Sequence, residues 1–167
     1  MIDLVKSAGG IVYYLEPDGE IKFLLIKRHA LSGKIERVAP KGKLQNKEGA
    51  EKAAAREVSE ETGIPINLLK IRESLGDLMI RGLEDQNGKF EKEVTYFLMQ
   101  YEGDPDLVDI QLVEGYLGKY KWATIAEVLN LVYYADMREL FRKGYLSLRD
   151  KKKKDDVKKD FMKKLEL

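Results

Sequence analysis

The chain has no cysteine and a single histidine among its 167 residues. Without cysteine, neither a disulfide nor a thiolate metal site holds the fold, and a thiol nucleophile is excluded. One histidine, His29, cannot build a histidine metal site or paired-histidine chemistry, and it reads as a surface loop residue. Any metal must therefore be bound through carboxylate and carbonyl oxygen, which favours Mg²⁺ or Mn²⁺ over Zn²⁺. Long apolar runs are missing as well. None approaches membrane-spanning length, and the first residues lack a cleavable signal pattern, so the expectation is a cytoplasmic protein with no membrane partner. Net charge is only +1, yet it is unevenly spread: residues 149–167 carry nine Lys and Arg against five Asp and Glu, and the other 148 carry 21 against 24.

What is present fits one domain with a substantial core. Residues 5–15 read as a strand in which Gly9 and Gly10 mark a bulge or a close backbone approach. Pro17-Asp18-Gly19 is a turn, and Ile21 to Lys27 the second strand of a hairpin. Residues 29–41 read as a loop with a short extended piece around Arg37-Val38-Ala39. A helix is predicted from Glu48 to Thr62, stopped by Gly63 and Pro65. Leu69 to Ile80 and Glu91 to Tyr101 read as strands joined by the turn Asp85-Gln86-Asn87-Gly88. The second carries apolar residues on both faces, which places it between two layers. After a loop over 102–118 come a short strand, Lys119 to Trp122, and helices over Ala126–Val132 and Asp136–Gly144. This order gives an α/β fold, a mixed sheet with helices on both faces, spanning residues 1–148. Residues 149–167 form a basic tail in which Val157, Phe161 and Leu165 recur at four-residue steps, a spacing that permits an amphipathic helix. It reads as solvated or docked on the domain, with contact to phosphates, RNA or a partner as the sharper alternative.

Three carboxylates, Glu57, Glu60 and Glu61, stand at i, i+3 and i+4 within the helix after Glu48. At about 100° per residue they share one arc, where like charges cost a few tenths of a kcal/mol per pair. Ala50, Ala53 and Ala54 occupy the same arc, while Lys52, Arg56 and Ser59 lie on the other side. The glutamates thus extend a small-residue stripe that faces protein. Carboxylates so placed are paired, protonated or metal-bound, and a hard divalent cation is the obvious counter-charge.

From Gly42 to Ile64 the chain reads Gly42, five residues, Glu48, seven residues, then Arg56-Glu57-Val58-Ser59-Glu60-Glu61-Thr62-Gly63-Ile64. This matches every fixed position of the motif G-x5-E-x7-R-E-U-x-E-E-x-G-U, U being aliphatic, and the chain resembles the Nudix hydrolases from about Lys6 to Gly144. The resemblance implies an α/β/α sandwich and the hydrolysis, with Mg²⁺ or a substitute Mn²⁺, of a phosphoanhydride in a nucleoside diphosphate linked to some group X. It implies that Glu57, Glu60 and Glu61 ligate the metal with the Gly42 carbonyl. It further implies that Arg56 orients these glutamates, and that Glu48 gives structural support or touches metal. The general base is a motif glutamate or one outside, with Glu114 the outside candidate and Glu91 and Glu93 behind it. Lys41 and Lys43 flank Gly42 and are candidates to meet phosphates. Tyr96, Tyr116, Tyr133 and Tyr134 are candidates to stack on a base.

Pro40-Lys41-Gly42 and the strand from Lys92 to Leu98 look like the branch that cleaves dinucleoside polyphosphates such as diadenosine tetraphosphate, or the related diphosphoinositol branch. Arg37-Val38-Ala39 departs from it, since an aromatic residue usually precedes that Pro. The alternatives are cleavage of nucleoside triphosphates such as oxidised dGTP, action on RNA 5′ ends using the basic tail, or nucleotide sensing without catalysis. The assembly is expected to be a monomer or homodimer.

Overall fold

Side chains alternating between two buried surfaces govern the architecture. In the computed structural model, which describes residues 4–30, 32–84 and 88–166 (side chains 82–84 and 88–90 excepted), β1 (Leu4–Leu15) and β2 (Ile21–His29) each feed two separate cores. Ala8, Val12, Leu24 and Ile26 point to one side, where Ala53, Ala54 and Val58 of α1 (Ala50–Thr62) cover them. Ile11, Tyr13, Phe23 and Leu25 point to the other, under Val128 of α2 (Ile125–Leu131) and Leu140 and Phe141 of α3 (Ala135–Leu165). This period-2 division is why both strands read as continuous apolar runs. The expected mixed sheet between two helical layers is what forms.

The sheet contains seven strands among the described residues. The remaining five are β3 (Ile35–Val38), β4 (Lys41–Lys43), β5 (Leu69–Glu84), β6 (Gly88–Tyr101) and β7 (Tyr116–Ala123). Its main path runs β3-β2-β1-β6-β5, with β4 on β1 and β7 on β2. Among the described residues only the central pair β1–β6 is parallel, with Gly9 opposite Tyr96, and the other pairings are antiparallel.

Several boundaries differ from the sequence expectations. Lys41–Lys43, read as loop, pairs with Ser7–Gly9. Strand β7 begins at Tyr116, inside the segment read as loop. Three residues are too few to show periodicity, and both strands owe their conformation to pairing rather than to propensity. The helix predicted from Glu48 starts at Ala50, because Glu48 turns its side chain back to the Gln45 N–H. The expected turn at 85–88 falls largely on residues 85–87, outside the described residues. Helix α3, expected to end at Gly144, runs on without a break to Leu165 through the whole basic segment. Nothing after Gly144 is a stop signal, and Leu, Lys, Arg and Asp continue the helix at little cost. A 31-residue helix is about 46 Å long, and its residues 151–166 are exposed throughout.

Gly10 sets how closely α1 approaches β1. A Cβ there would stand 2.7 Å from Val58 Cγ2 and 3.0 Å from Met99 Sδ. Gly10 N–H also donates to the Pro40 carbonyl at 3.1 Å, pulling the turn before β4 under the helix. Val58 is fully enclosed and has no space to retreat into. Gly10→Ala is therefore expected to lower stability by about 1–3 kcal/mol through overpacking. Urea unfolding should show a reduced midpoint at unchanged slope.

Candidate active site

Arg56 organises the acidic face of α1. Its Nε and Nη2 take both oxygens of Glu48 at 2.8 Å each. Nη1 donates to Glu57 Oε1 at 2.8 Å and Glu60 Oε2 at 3.1 Å, and Nη2 also reaches the Lys43 carbonyl at 3.1 Å. These bonds match the five N–H donors of a guanidinium. One side chain thus joins the segment before α1, two of the α1 carboxylates and the end of β4. The Arg56 bond, helped by the Gln45 N–H, holds the Glu48 carboxyl well below the usual range, at about 2. Bonding to Glu48 raises the Arg56 pKa in turn. Glu48 is thus engaged as the support of Arg56.

Gly42 lies beneath Glu57. A Cβ on Gly42 would stand 2.1 Å from the Glu57 carboxyl carbon, so the absence of a side chain is what lets that carboxylate rest on the backbone of β4. Pairing of Gly42 with Ala8 fixes the strand at that height.

Glu61 has a different environment. It is 4% exposed, and its Oε2 accepts from the Lys41 N–H at 3.2 Å and from the Tyr116 hydroxyl at 2.8 Å. Burial drives its carboxyl up from 4.5 to about 7. Nearby Glu114 and Glu57 push the same way, and the two hydrogen bonds oppose. The loop beyond β6 closes on this end of α1: Asp109 N–H donates to the Thr62 carbonyl and Gln111 N–H to that of Glu61, both at 2.9 Å. The same loop delivers Glu114, whose φ of 56° is left-handed and uncommon for a residue with a side chain. Its charge acts on Glu61, Tyr116 and Lys41.

Among the other sequence candidates, Lys41 and Tyr116 meet Glu61, and Lys43 meets Arg56. The Lys41 amine is half-buried and its pKa is lowered, first by burial and then by the charge of Lys92. Lys43 is exposed and contributes its carbonyl to Arg56. Glu91 pairs with Arg81 at 3.1 Å, and Glu93 lies opposite Lys6 and Met79 in the sheet. Tyr96 is 2% exposed and sits in the core, its ring edge 2.9 Å from where a Gly9 Cβ would be, so it presents no free face for stacking. Tyr116 is buried too, and its hydroxyl serves Glu61. Tyr133 and Tyr134 are the exposed pair, edge to face with centroids 5.2 Å apart. Lys34 Nζ lies 4.7 Å from the Tyr133 ring centroid, and the Tyr134 hydroxyl donates to buried Glu36 at 2.7 Å. His29 is exposed at the end of β2, where its N–H donates to the Gly115 carbonyl.

Arg28 escaped the sequence reading. Its positive charge acts on Lys41, Tyr96 and Tyr134, and its Nε is buried without a hydrogen-bond partner among the described residues. A buried unsatisfied guanidinium donor calls for an explanation, and an anion is the natural one. Its strand also carries Lys22, Lys27 and His29, so residue type alone does not single Arg28 out.

As the side chains stand, no three acidic or histidine groups among the described residues converge to hold a metal ion. Arg56 draws Glu57 and Glu60 toward itself, while Lys41 and Tyr116 hold Glu61. The donor chemistry nevertheless fits a hard cation: three carboxylates on one helix face, one of them buried with its pKa raised, and one resting on the Gly42 backbone of β4.

Comparison with known proteins adds to this geometry. The model of the NUDIX domain matches residues 6–144. A C. elegans Ap4A hydrolase binary complex is 27% identical, with a TM-score of 0.70 over 87% of this chain and 98% of that one. A second structure of C. elegans Ap4A hydrolase is 31% identical, with a TM-score of 0.63 over 89% and 99%. The NUDIX domain of Shewanella oneidensis NrtR, complexed with ADP ribose, shares the fold at 18% identity, with a TM-score of 0.60 over 89% and 90%. No curated protein matches the chain in sequence.

Burial of Glu61 sets a pH signature for the metal-free protein. Its folded value, about 7, lies above the ordinary 4.5, so its stabilising contribution is complete below about pH 4.5 and is lost as pH rises through 7. Glu61→Gln keeps an acceptor for Lys41 and Tyr116 but removes the charge. Without metal at pH 8 it should be more stable than the parent, by on the order of 3 kcal/mol at most. Thermal unfolding across pH should show this gap closing below about pH 4.5.

Proposed function

The chain belongs to the Nudix family and is a pyrophosphohydrolase; from that premise we propose that it hydrolyses dinucleoside polyphosphates, with diadenosine tetraphosphate as the model substrate, using Mg²⁺. Support for this substrate class comes from Pro40-Lys41-Gly42, from the β6 sequence, and from two Ap4A hydrolase structures matched over nearly their full length at 27% and 31% identity. The observation that supports the catalytic reading is Glu61, buried at the end of α1 with the charges of Glu114 and Glu57 acting on it, beside a Glu57 carboxylate that rests on Gly42.

Each residue has a task in this reading. Glu57, Glu60, Glu61 and the Gly42 carbonyl would hold the divalent cation, which when bound neutralises phosphate charge and acidifies a water. Arg56 keeps Glu57 and Glu60 oriented by ion pairing on one face of α1. Tyr116 and the Lys41 N–H fix Glu61 in a single orientation. Glu114 accepts the proton of the attacking water, its loop being tied to α1 through Asp109 and Gln111. Lys41 and Arg28 take phosphate oxygens, which gives the buried Arg28 Nε a partner on binding. Tyr133, exposed beside Lys34, offers its ring to a base.

A turnover panel tests this: diadenosine tetraphosphate, triphosphates including oxidised dGTP, ADP-ribose, a diphosphoinositol phosphate and 5′-triphosphate RNA, each with and without Mg²⁺. The dinucleotide should be preferred with ATP among its products, and Glu61→Gln should be inactive. Glu114→Gln should lower kcat by about 10²–10⁴ with KM little changed, as removal of a general base does. Preference for another substrate sinks the substrate assignment; full kcat in Glu114→Gln returns the base to a motif glutamate.

A further inference from the structure

The outer half of α3 lies beyond the matched family domain, which ends at Gly144. Residues 151–166 are exposed throughout, yet the helix is not bare on the side toward the domain. There it walls a cavity of about 840 Å³ against the β1–β2 turn, lined by Arg149, Lys152, Asp155 and Lys159 on the helix and by Gly19 and Ile21 opposite. Lys152 Nζ would lie 3.3 Å from a Cβ on Gly19. A helix beside a folded domain normally turns its apolar stripe inward. This one turns a polar side inward and its apolar residues away: Val157, Phe161 and Leu165 are 69%, 61% and 64% exposed, with Met162 beside them.

Charge is segregated on the same axis. At about 100° per residue, the half of the helix holding Val157, Phe161, Leu165 and Met162 also holds Lys153, Lys154, Lys158 and Lys164, with Lys151 near its edge, where it also lines the cavity. Its one acid is Asp150, at the inner end. Asp155, Asp156, Asp160 and Glu166 all fall in the opposite sector, where four cations balance them. An apolar stripe set among lysines, with the acids on the other side, is the pattern of a helix lying in the interface of an anionic bilayer. Lysine stems lie along the apolar surface while their ammonium groups reach the headgroups.

We propose that residues 150–165 of α3 dock this protein onto an anionic phospholipid surface, with Val157, Phe161 and Leu165 entering the headgroup–acyl boundary. No described helix is long and apolar enough to cross a membrane, and lying on one requires no such run. The hydropathy expectation of no membrane partner rested on the lack of a long apolar run, which bears on helical spanning and not on binding at a surface. A second copy of the chain fits this face poorly. Lysines would oppose lysines, and sixteen residues fall short of the three to four heptads a helical seam needs. A protein groove fits less well too, since such interfaces deplete lysine and favour arginine, and every cation in this sector is lysine.

Sedimentation of the full chain with vesicles tests the proposal, comparing phosphatidylcholine alone with phosphatidylcholine containing about a third phosphatidylserine. The chain should pellet with the mixed vesicles and be released by high salt. Lys154→Gln and Lys158→Gln should each weaken binding roughly fivefold, and Lys152→Gln and Lys163→Gln clearly less. Phe161→Ser should weaken it at least tenfold, with turnover in solution unchanged as a check on folding. A chain that stays in the supernatant with the mixed vesicles overturns the proposal. So does undiminished binding by Phe161→Ser, or equal losses from the two lysine pairs. Phe161-dependent dimerisation in the ultracentrifuge without vesicle binding would assign the face to self-association instead.

Discussion

The Arg56 guanidinium is the interaction on which the site depends. Isolated, three carboxylates at i, i+3 and i+4 repel one another, and the helix carrying them is weakened. Arg56 answers that with bonds to Glu48, Glu57, Glu60 and the Lys43 carbonyl. The charges it balances belong to α1 and to the segment ahead of it, and the carbonyl belongs to β4, so the same bonds set the helix over the sheet. The planar fork makes this an arginine task, since a lysine ammonium has three donors and no fixed fork.

Close packing beneath the helix is the second requirement. Gly10 allows Val58 to touch β1, and Gly42 allows Glu57 to rest on β4. Side chains at either position would lift α1 and separate the carboxylates from the backbone they face. The core on this side of the sheet and the polar cluster at its edge are thus one construction. Val58 and Glu57, adjacent in sequence, anchor the helix to the apolar layer and present the chemistry above β4. Glu61 completes it from the other end, where Tyr116 and the Asp109–Gln111 backbone close over the last turn.

Much of this was legible in the chain. Alternation in 5–15 and 21–27 and apolar faces on both sides of 91–101 gave a sheet between two layers, and the spacing from Gly42 to Ile64 gave the acidic helix and its arginine. The loop residues were less legible. Tyr116 reads as one aromatic among several, and only β7 pairing with β2 brings its hydroxyl to Glu61. Tyr96 looked equally suited to stacking, yet parallel pairing with β1 encloses it. Arg28 gave almost no signal, because its significance lies in neighbours far along the chain.

Sequence alone determined the period of each strand, the helix with its glutamates on one arc, the exclusion of thiol and histidine metal chemistry, and the family. These are properties of residue type and local spacing, which pairing and packing do not alter. Tertiary structure decided which carboxylate is buried, which tyrosine is covered, where Glu114 delivers its charge, and which side of α3 meets solvent. Each depends on groups distant in sequence sharing one volume: burial and the fields of neighbouring charges, not composition, set the Glu61 pKa and leave Phe161 outside.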